Sequence, residues 1–354
     1  MIAEGVKLLD PLVSTTPTGM GVASGGVFSM FDVETDDTLH IILKNINGCR
    51  NGTIRFVLRF MLLQVSALFF LRKTVVILSH HGFLLPFIKQ VVVVHDFISL
   101  ENPKQHKMQT LYFRYVLPIV LKNCVKIVVI SDDVKRKLLR HYAWCDSRKI
   151  FVIPSVSKRV DDYLIMPRSR LDEKLAFGRL LVVGARYLHK RLDFALATLK
   201  ILRKDRGLNV KLTVVSVDKT LWRGFSGYDL LEDSEVSLGF DYASEEELLD
   251  CYTQASFLLH FSSAEGFGLP PIEAMALGVP VLSADYRIAR ETCGDGALYF
   301  DPSSPSKVAD FIEQAFLGRF RSELENVIDC GDSRALELGI QKAREKWVAL
   351  FRGL

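Results

Sequence analysis

Seven short apolar runs, most of them rich in β-branched residues, recur along the chain: 41–43, 75–78, 91–94 and 127–130, then 180–183, 212–215 and 257–259. Each is too short for a helix and lacks the alternation of a half-solvated strand. Such runs separated by helical segments fit strands of parallel sheets covered on both faces. Two series predict an α/β protein of two Rossmann-like, doubly wound halves. A chain of 354 residues, 49% hydrophobic, is also too long for one ordinary core. Between the series, at 155–178, Ser, Lys, Arg and Asp replace the apolar pattern. The expected domains are 1–165 and 166–335, with a C-terminal helix at 336–354 packing back on the first.

Ligands of open α/β sheets bind beyond the carboxyl ends of the strands. After the run at 257–259 comes SSAEGFGLPPIEAMALGVPVL, residues 262–282. This reads as a tight loop and a helix that Gly278 and Pro280 end. Gly266 and Gly268 let the backbone approach a ligand closely. Pro270 and Pro271 have no N–H, so an anion cradle here must use the amides of Gly266, Phe267, Gly268 and Leu269, with Ile272 as a further candidate. Helix N-terminal amides and the macrodipole favour phosphate. Glu265 and Glu273, eight positions apart, are placed to accept hydrogen bonds from sugar hydroxyls. The plainer alternative is a Gly/Pro turn with two solvated glutamates.

Other run ends carry further candidates. Arg186 and Lys190 follow the run at 180–183 and suit a diphosphate, the arginine as a planar fork and the lysine as a point charge. His95-Asp96 follows the run at 91–94 as a crevice-lining pair or a capped turn, with Asp96 orienting the loop. Gly19 and Gly21 follow a weak strand at 8–13. His80-His81 reads as structural, and Ser131 as a helix cap.

The stretch S-x-x-E-G-F-G-L-P-x-x-E-A-M-A-x-G-x-P-V resembles the E-x7-E hallmark of glycosyltransferase family 4, and every fixed position is present. The resemblance implies the GT-B fold, two Rossmann-like domains facing a central cleft, and retaining transfer from a nucleotide sugar without a metal or other cofactor. It places Glu265 by the donor sugar, Glu273 on the nucleotide ribose, and Arg186 with Lys190 on the diphosphate, Arg191 being a neighbouring candidate. It also puts His95 near the reacting sugar and the Gly19/Gly21 loop at the donor phosphate. The family's P-N-G is replaced here by Pro154-Ser155-Val156. The wording around Arg186–Lys190 and His95-Asp96 resembles bacterial mannosyltransferases of surface polysaccharide synthesis, of the lipopolysaccharide O-antigen, capsule or exopolysaccharide kind. GDP-mannose is therefore the favoured donor over UDP-hexose, and a glycan or lipid-linked glycan the expected acceptor.

A net charge of +4 with dispersed basic residues does not point to nucleic acid. Six cysteines without a C-x-x-C pair suit reduced thiols in the cytoplasm. The first residues lack a signal-peptide pattern, which predicts a cytoplasmic location. Residues 54–71, IRFVLRFMLLQVSALFFL, are strongly apolar with arginines near one end and Arg72-Lys73 after the other. They suit either a helix packed on the sheet or one lying in a membrane interface, hence peripheral contact with an anionic membrane. Two readings compete with glycosyl transfer. One is a non-catalytic nucleotide-sugar-binding scaffold. The other, a dinucleotide-dependent oxidoreductase, lacks the G-x-G-x-x-G fingerprint after its first strand.

Overall fold

A computed structural model describes residues 6–11, 19–31, 46, 52–223, 225, 229, 236–239 and 243–354. The run at 41–43 and Cys49 lie outside these residues. The chain divides into two compact units, Met1–Lys158 with Leu338–Leu354, and Arg159–Glu337.

In the first unit five strands form one parallel sheet: β1 (Val6–Leu9), β2 (Thr74–Ile77), β3 (Gln90–Val94), β4 (Cys124–Val129) and β5 (Ile150–Val152). Among the described residues they follow one another in sequence order. β3 is buried along its whole length, which is why its sequence is almost pure valine. The C-terminal helix Ile340–Arg352 completes this unit. Phe351 meets Phe31 with ring centroids 5.3 Å apart, and Lys126 Nζ donates to the Leu350 carbonyl at 3.3 Å.

Among the described residues the second unit holds six parallel strands: β6 (Arg179–Val183), β7 (Lys211–Val215), β8 (Val236–Gly239), β9 (Phe257–His260), β10 (Val281–Ala284) and β11 (Ala297–Phe300). Their spatial order is β11-β10-β9-β6-β7-β8. The order reverses at the β6/β9 pair, so the doubly wound pattern has its switch point there. Leu180, Leu212, Val214 and Phe257 carry the core on these strands, with Trp222 donating its Nε1–H to the Ala185 carbonyl at 3.0 Å.

The first domain boundary falls before Arg159, not at 165, and the charged composition explains the difference. Arg159 is bonded to Glu245 and Glu273, and Arg168 to Asp332, all within the second unit. Charges that resemble a linker in sequence are thus anchors of the second unit. The second boundary falls at 337/338, against the expected 335/336.

Candidate active site

The switch point brings two strand ends side by side. The loop after β6 and the loop after β9 are joined by the Ser263 amide, which donates to the His189 carbonyl at 2.7 Å. Across this junction Lys190 Nζ lies 2.6 Å from Glu265 Oε1, with 17% and 11% of the two side chains exposed. His260, the last residue of β9, places Nε2 3.8 Å from the same Glu265 oxygen. Gly184 opens the β6 loop at φ +85°, a conformation that favours glycine, and a Cβ built there would meet Lys190 Cε at 3.8 Å.

These neighbours fix protonation states. Burial pushes the Glu265 carboxyl up, but Lys190 and His260 outweigh it and hold the group at about 2. Burial lowers His260 to about 4 against the pull of Glu265, so its imidazole is neutral near pH 7. Glu265 is therefore an anion facing one cation, and is not poised to donate a proton.

The helix after β9 runs Leu269–Ala276, with Gly268 as its N-cap at φ +100° and prolines in its first turn. First-turn amides have no intrahelical partner, and with Pro270 and Pro271 lacking theirs the donors fall to the segment before the prolines. The loop is held from behind, where Thr292 Oγ1 donates to the Phe267 carbonyl at 2.5 Å. Further along the helix Glu273 is 2% exposed. Its Oε2 accepts from the Tyr252 hydroxyl at 2.9 Å and its Oε1 from Arg159 at 3.4 Å. Burial would lower the Arg159 pKa, but Glu273 and Glu245 outweigh it and raise the value. Burial beside Glu273 drives the Tyr252 phenol up, so that it remains a donor.

Of the predicted residues, Lys190, Glu265, Gly266, Phe267, Gly268, Leu269 and Glu273 thus gather on the loops and helix that β6 and β9 launch. Arg186 lies in the β6 loop; the Asp218 carboxyl beyond the end of β7 is held below its ordinary range by hydrogen bonds from the Thr220 hydroxyl and amide, with the Arg186 charge a smaller contribution. Arg191 is bound to Asp193 through Nε at 3.0 Å.

His95, Gly19 and Gly21 belong to the first unit. His95 Nε2 pairs with the Leu78 carbonyl at 3.0 Å, so Nε2 carries the proton. Burial lowers its pKa despite that bond, and the imidazole lines a small cavity with Ser24, Leu78, Val93 and Ile153. Asp96 Oδ1 accepts the Ile98 amide at 3.0 Å. Gly19 and Gly21 do not sit in a glycine loop: they form the first turn of the helix Gly19–Met30, and residues 12–18 before it lie outside the described residues.

Sequence reasoning missed His260, Tyr252 and Arg159. His260 follows the apolar run at 257–259 and belongs to no motif. Arg159 stands 114 positions from the glutamate it serves. A buried polar residue ending an otherwise apolar strand was the available signal for His260.

Residues 168–329 match the family model for glycosyl transferases group 1. The O-antigen chain mannosyltransferase RfbU of Salmonella typhimurium is 30% identical over 235 residues, which are 65% of this chain and 61% of that protein. The O-antigen chain mannosyltransferase B of Escherichia coli is 26% identical over 244 residues, 64% of this chain and 61% of that one. The chain thus spans about three fifths of the length of these curated relatives. Among solved structures, Anabaena HepE in complex with UDP and glucose superposes with a TM-score of 0.71 at 12% identity, covering 99% of both chains. That likeness carries the fold, two Rossmann-like α/β units of the GT-B type. Over residues 168–329 the chain matches the group 1 glycosyl transferases, and it resembles the bacterial O-antigen mannosyltransferases.

Proposed function

We propose that this protein is a retaining glycosyltransferase of surface polysaccharide synthesis, moving mannose from GDP-mannose to a glycan or lipid-linked glycan on the cytoplasmic side of the membrane. The observation that carries this reading is the Lys190–Glu265 pair at the β6/β9 switch point, beside the Gly268-capped helix that bears Glu273. A cation, helix N-terminal amides and two carboxylates in one place suit a diphosphate with sugars on either side. The mannosyltransferase relatives support mannose, and through it guanosine as the base.

In this reading charge develops on the leaving diphosphate. Lys190, Arg186 and the amides of Gly266 to Leu269 stabilise it electrostatically. Glu265 binds donor hydroxyls, Glu273 the ribose, and His95 serves the acceptor side. The leaving phosphate takes the acceptor hydroxyl's proton as the new glycosidic bond forms on the same face. The reading needs no metal or other cofactor.

A thermal-shift panel of GDP-, UDP-, dTDP- and ADP-sugars, followed by assay of nucleoside diphosphate release with an acceptor glycan, tests it. A ligand at 100 times its Kd stabilises by about 2.7 kcal/mol. GDP-mannose is expected to give the largest shift and acceptor-dependent GDP release. Binding of a nucleotide sugar without release under any acceptor would favour the scaffold reading, and no shift with any donor would sink both.

A further inference from the structure

Outside the candidate site, the first unit carries an exposed apolar surface. The helix Gly52–Ser66 continues as a 3-10 turn, Ala67–Phe70, and only 22% of the window Thr53–Phe70 is buried. Leu58, Met61, Val65 and Phe69 are exposed, Phe69 to 80%. A second stripe follows on the helical segment from Lys107 to Asn123, where Leu111, Tyr115 and Ile119 are exposed. The spacing of this stripe is that of one helix face.

The two stripes adjoin. Phe56 and Phe60 both pack on Tyr112 of the second segment, with ring centroids 5.8 and 6.0 Å apart. The Gln64 side chain donates to the Gly82 carbonyl at 3.0 Å and accepts the Leu84 amide at 2.9 Å. Asn123 from the other segment donates to the carbonyl of the same Leu84 at 2.7 Å. The loop so clamped presents Phe87, 58% exposed. Three elements therefore form one apolar surface of a size that needs a partner.

The charge around it selects the partner. Residues 52–131 contain ten Lys and Arg against two acidic residues, Asp96 and Glu101, although the whole chain has 45 basic and 41 acidic residues. Arg72, Lys73, Lys89, Lys104, Lys107 and Arg114 are exposed. A second copy of this face would set cations against cations. An anionic lipid surface accepts both the apolar side chains and the basic fringe. Spanning is opposed by the bonds of Gln64 and the packing of Phe56 and Phe60, and by Lys73 leading directly into β2. The helix can lie in the interface without giving up these contacts.

We propose that the face formed by the helix Gly52–Ser66, the segment from Lys107 to Asn123 and the Phe87 loop docks on an anionic lipid bilayer, with Met61, Val65 and Phe69 entering the acyl boundary. The proposal rests on this surface alone and stands whether or not the proposed reaction holds. Co-sedimentation of the full chain with phosphatidylglycerol/phosphatidylcholine vesicles tests it against pure phosphatidylcholine vesicles. Binding to the anionic vesicles is expected, at least tenfold weaker to neutral ones and reduced about tenfold by Arg72→Glu with Lys73→Glu. Val65→Glu with Phe69→Glu should abolish it while leaving the melting temperature unchanged. A Phe69→Trp variant, which keeps the surface apolar, should show blue-shifted emission on anionic vesicles. Equal binding to both vesicle types, no blue shift, or a dimer in solution that Val65→Glu/Phe69→Glu dissociates would each overturn it.

Discussion

Lys190 Nζ stands 2.6 Å from Glu265 Oε1, so the cation proposed for the donor diphosphate is held by a carboxylate. Charge-assisted bonds of this kind are strong when shielded, and a diphosphate entering the site must compete with Glu265 for the lysine. Glu265→Gln keeps the shape and removes the competitor. Turnover is expected to fall at least a hundredfold, because the donor sugar loses its anionic partner, while nucleoside diphosphate binds as tightly as before or tighter. Calorimetry with GDP beside steady-state GDP release separates the two effects. A tenfold loss of GDP affinity would show that Lys190 is not the diphosphate ligand.

Gly268 offers a test of the amide cradle. A Cβ there would lie 3.6 Å from His260 Nε2 and 4.0 Å from Pro271 Cδ, so space is not the obstacle. The backbone is, since φ is +100° and a β-branched residue is strained by about 1–3 kcal/mol in such a region. The loop is expected to shift out of the glycine conformation and spoil the amide alignment. Gly268→Val should abolish the donor-induced thermal shift and lower the ligand-free melting temperature by only a few degrees. A variant that still binds donor would place the anion elsewhere.

The strands were legible because a fully buried parallel strand writes itself as an unbroken apolar run, as in 91–94 and 180–183. The E-x7-E loop was legible because its glycines, prolines and carboxylates are consecutive. Strand order was not, for periodicity says which residues form a strand and nothing about its neighbours. The meeting of Lys190 with Glu265, 75 positions apart, follows only from β6 lying beside β9. The first domain boundary falls inside the 155–178 stretch but ahead of 165 for a related reason. Arg159 and Arg168 look like solvated linker charges until Glu273 and Asp332 are brought to them by the fold.

Tyr252 and Arg159 are positioning residues for Glu273. A carboxylate only 2% exposed needs hydrogen-bond partners, and these two provide them. Removing one hydrogen bond to a charged group costs about 1.5–3 kcal/mol. With Glu273 on the ribose, as proposed, Tyr252→Phe is expected to raise the donor KM by tenfold or more with a smaller change in kcat. Arg159→Met should do the same and also lower the melting temperature, because it releases Glu245 as well. A fall in kcat at constant KM would mean that Glu273 serves the reacting sugar instead.

Acid should weaken the second unit in two steps of the same sign. His260 is lowered from an ordinary 6.5 to about 4, so the unfolded chain binds its proton first, and stability falls as pH drops through that window. Glu265 is held at about 2 against an ordinary 4.5, so its contribution is complete above 4.5 and is lost as pH falls further. For His260 the full shift corresponds to at most about 3 kcal/mol, by the conversion of one pKa unit to 1.36 kcal/mol. Urea unfolding followed by Trp222 in a Trp144→Phe/Trp347→Phe background reads this unit, because Trp222 is fully buried within it. The midpoint is expected to decline from pH 6.5 to 4 and again below 4.5. His260→Gln should flatten the first decline and shrink the second, because His260 is one of the groups that hold the Glu265 carboxyl down. An unchanged first decline would mean that the imidazole is not held neutral beside Glu265.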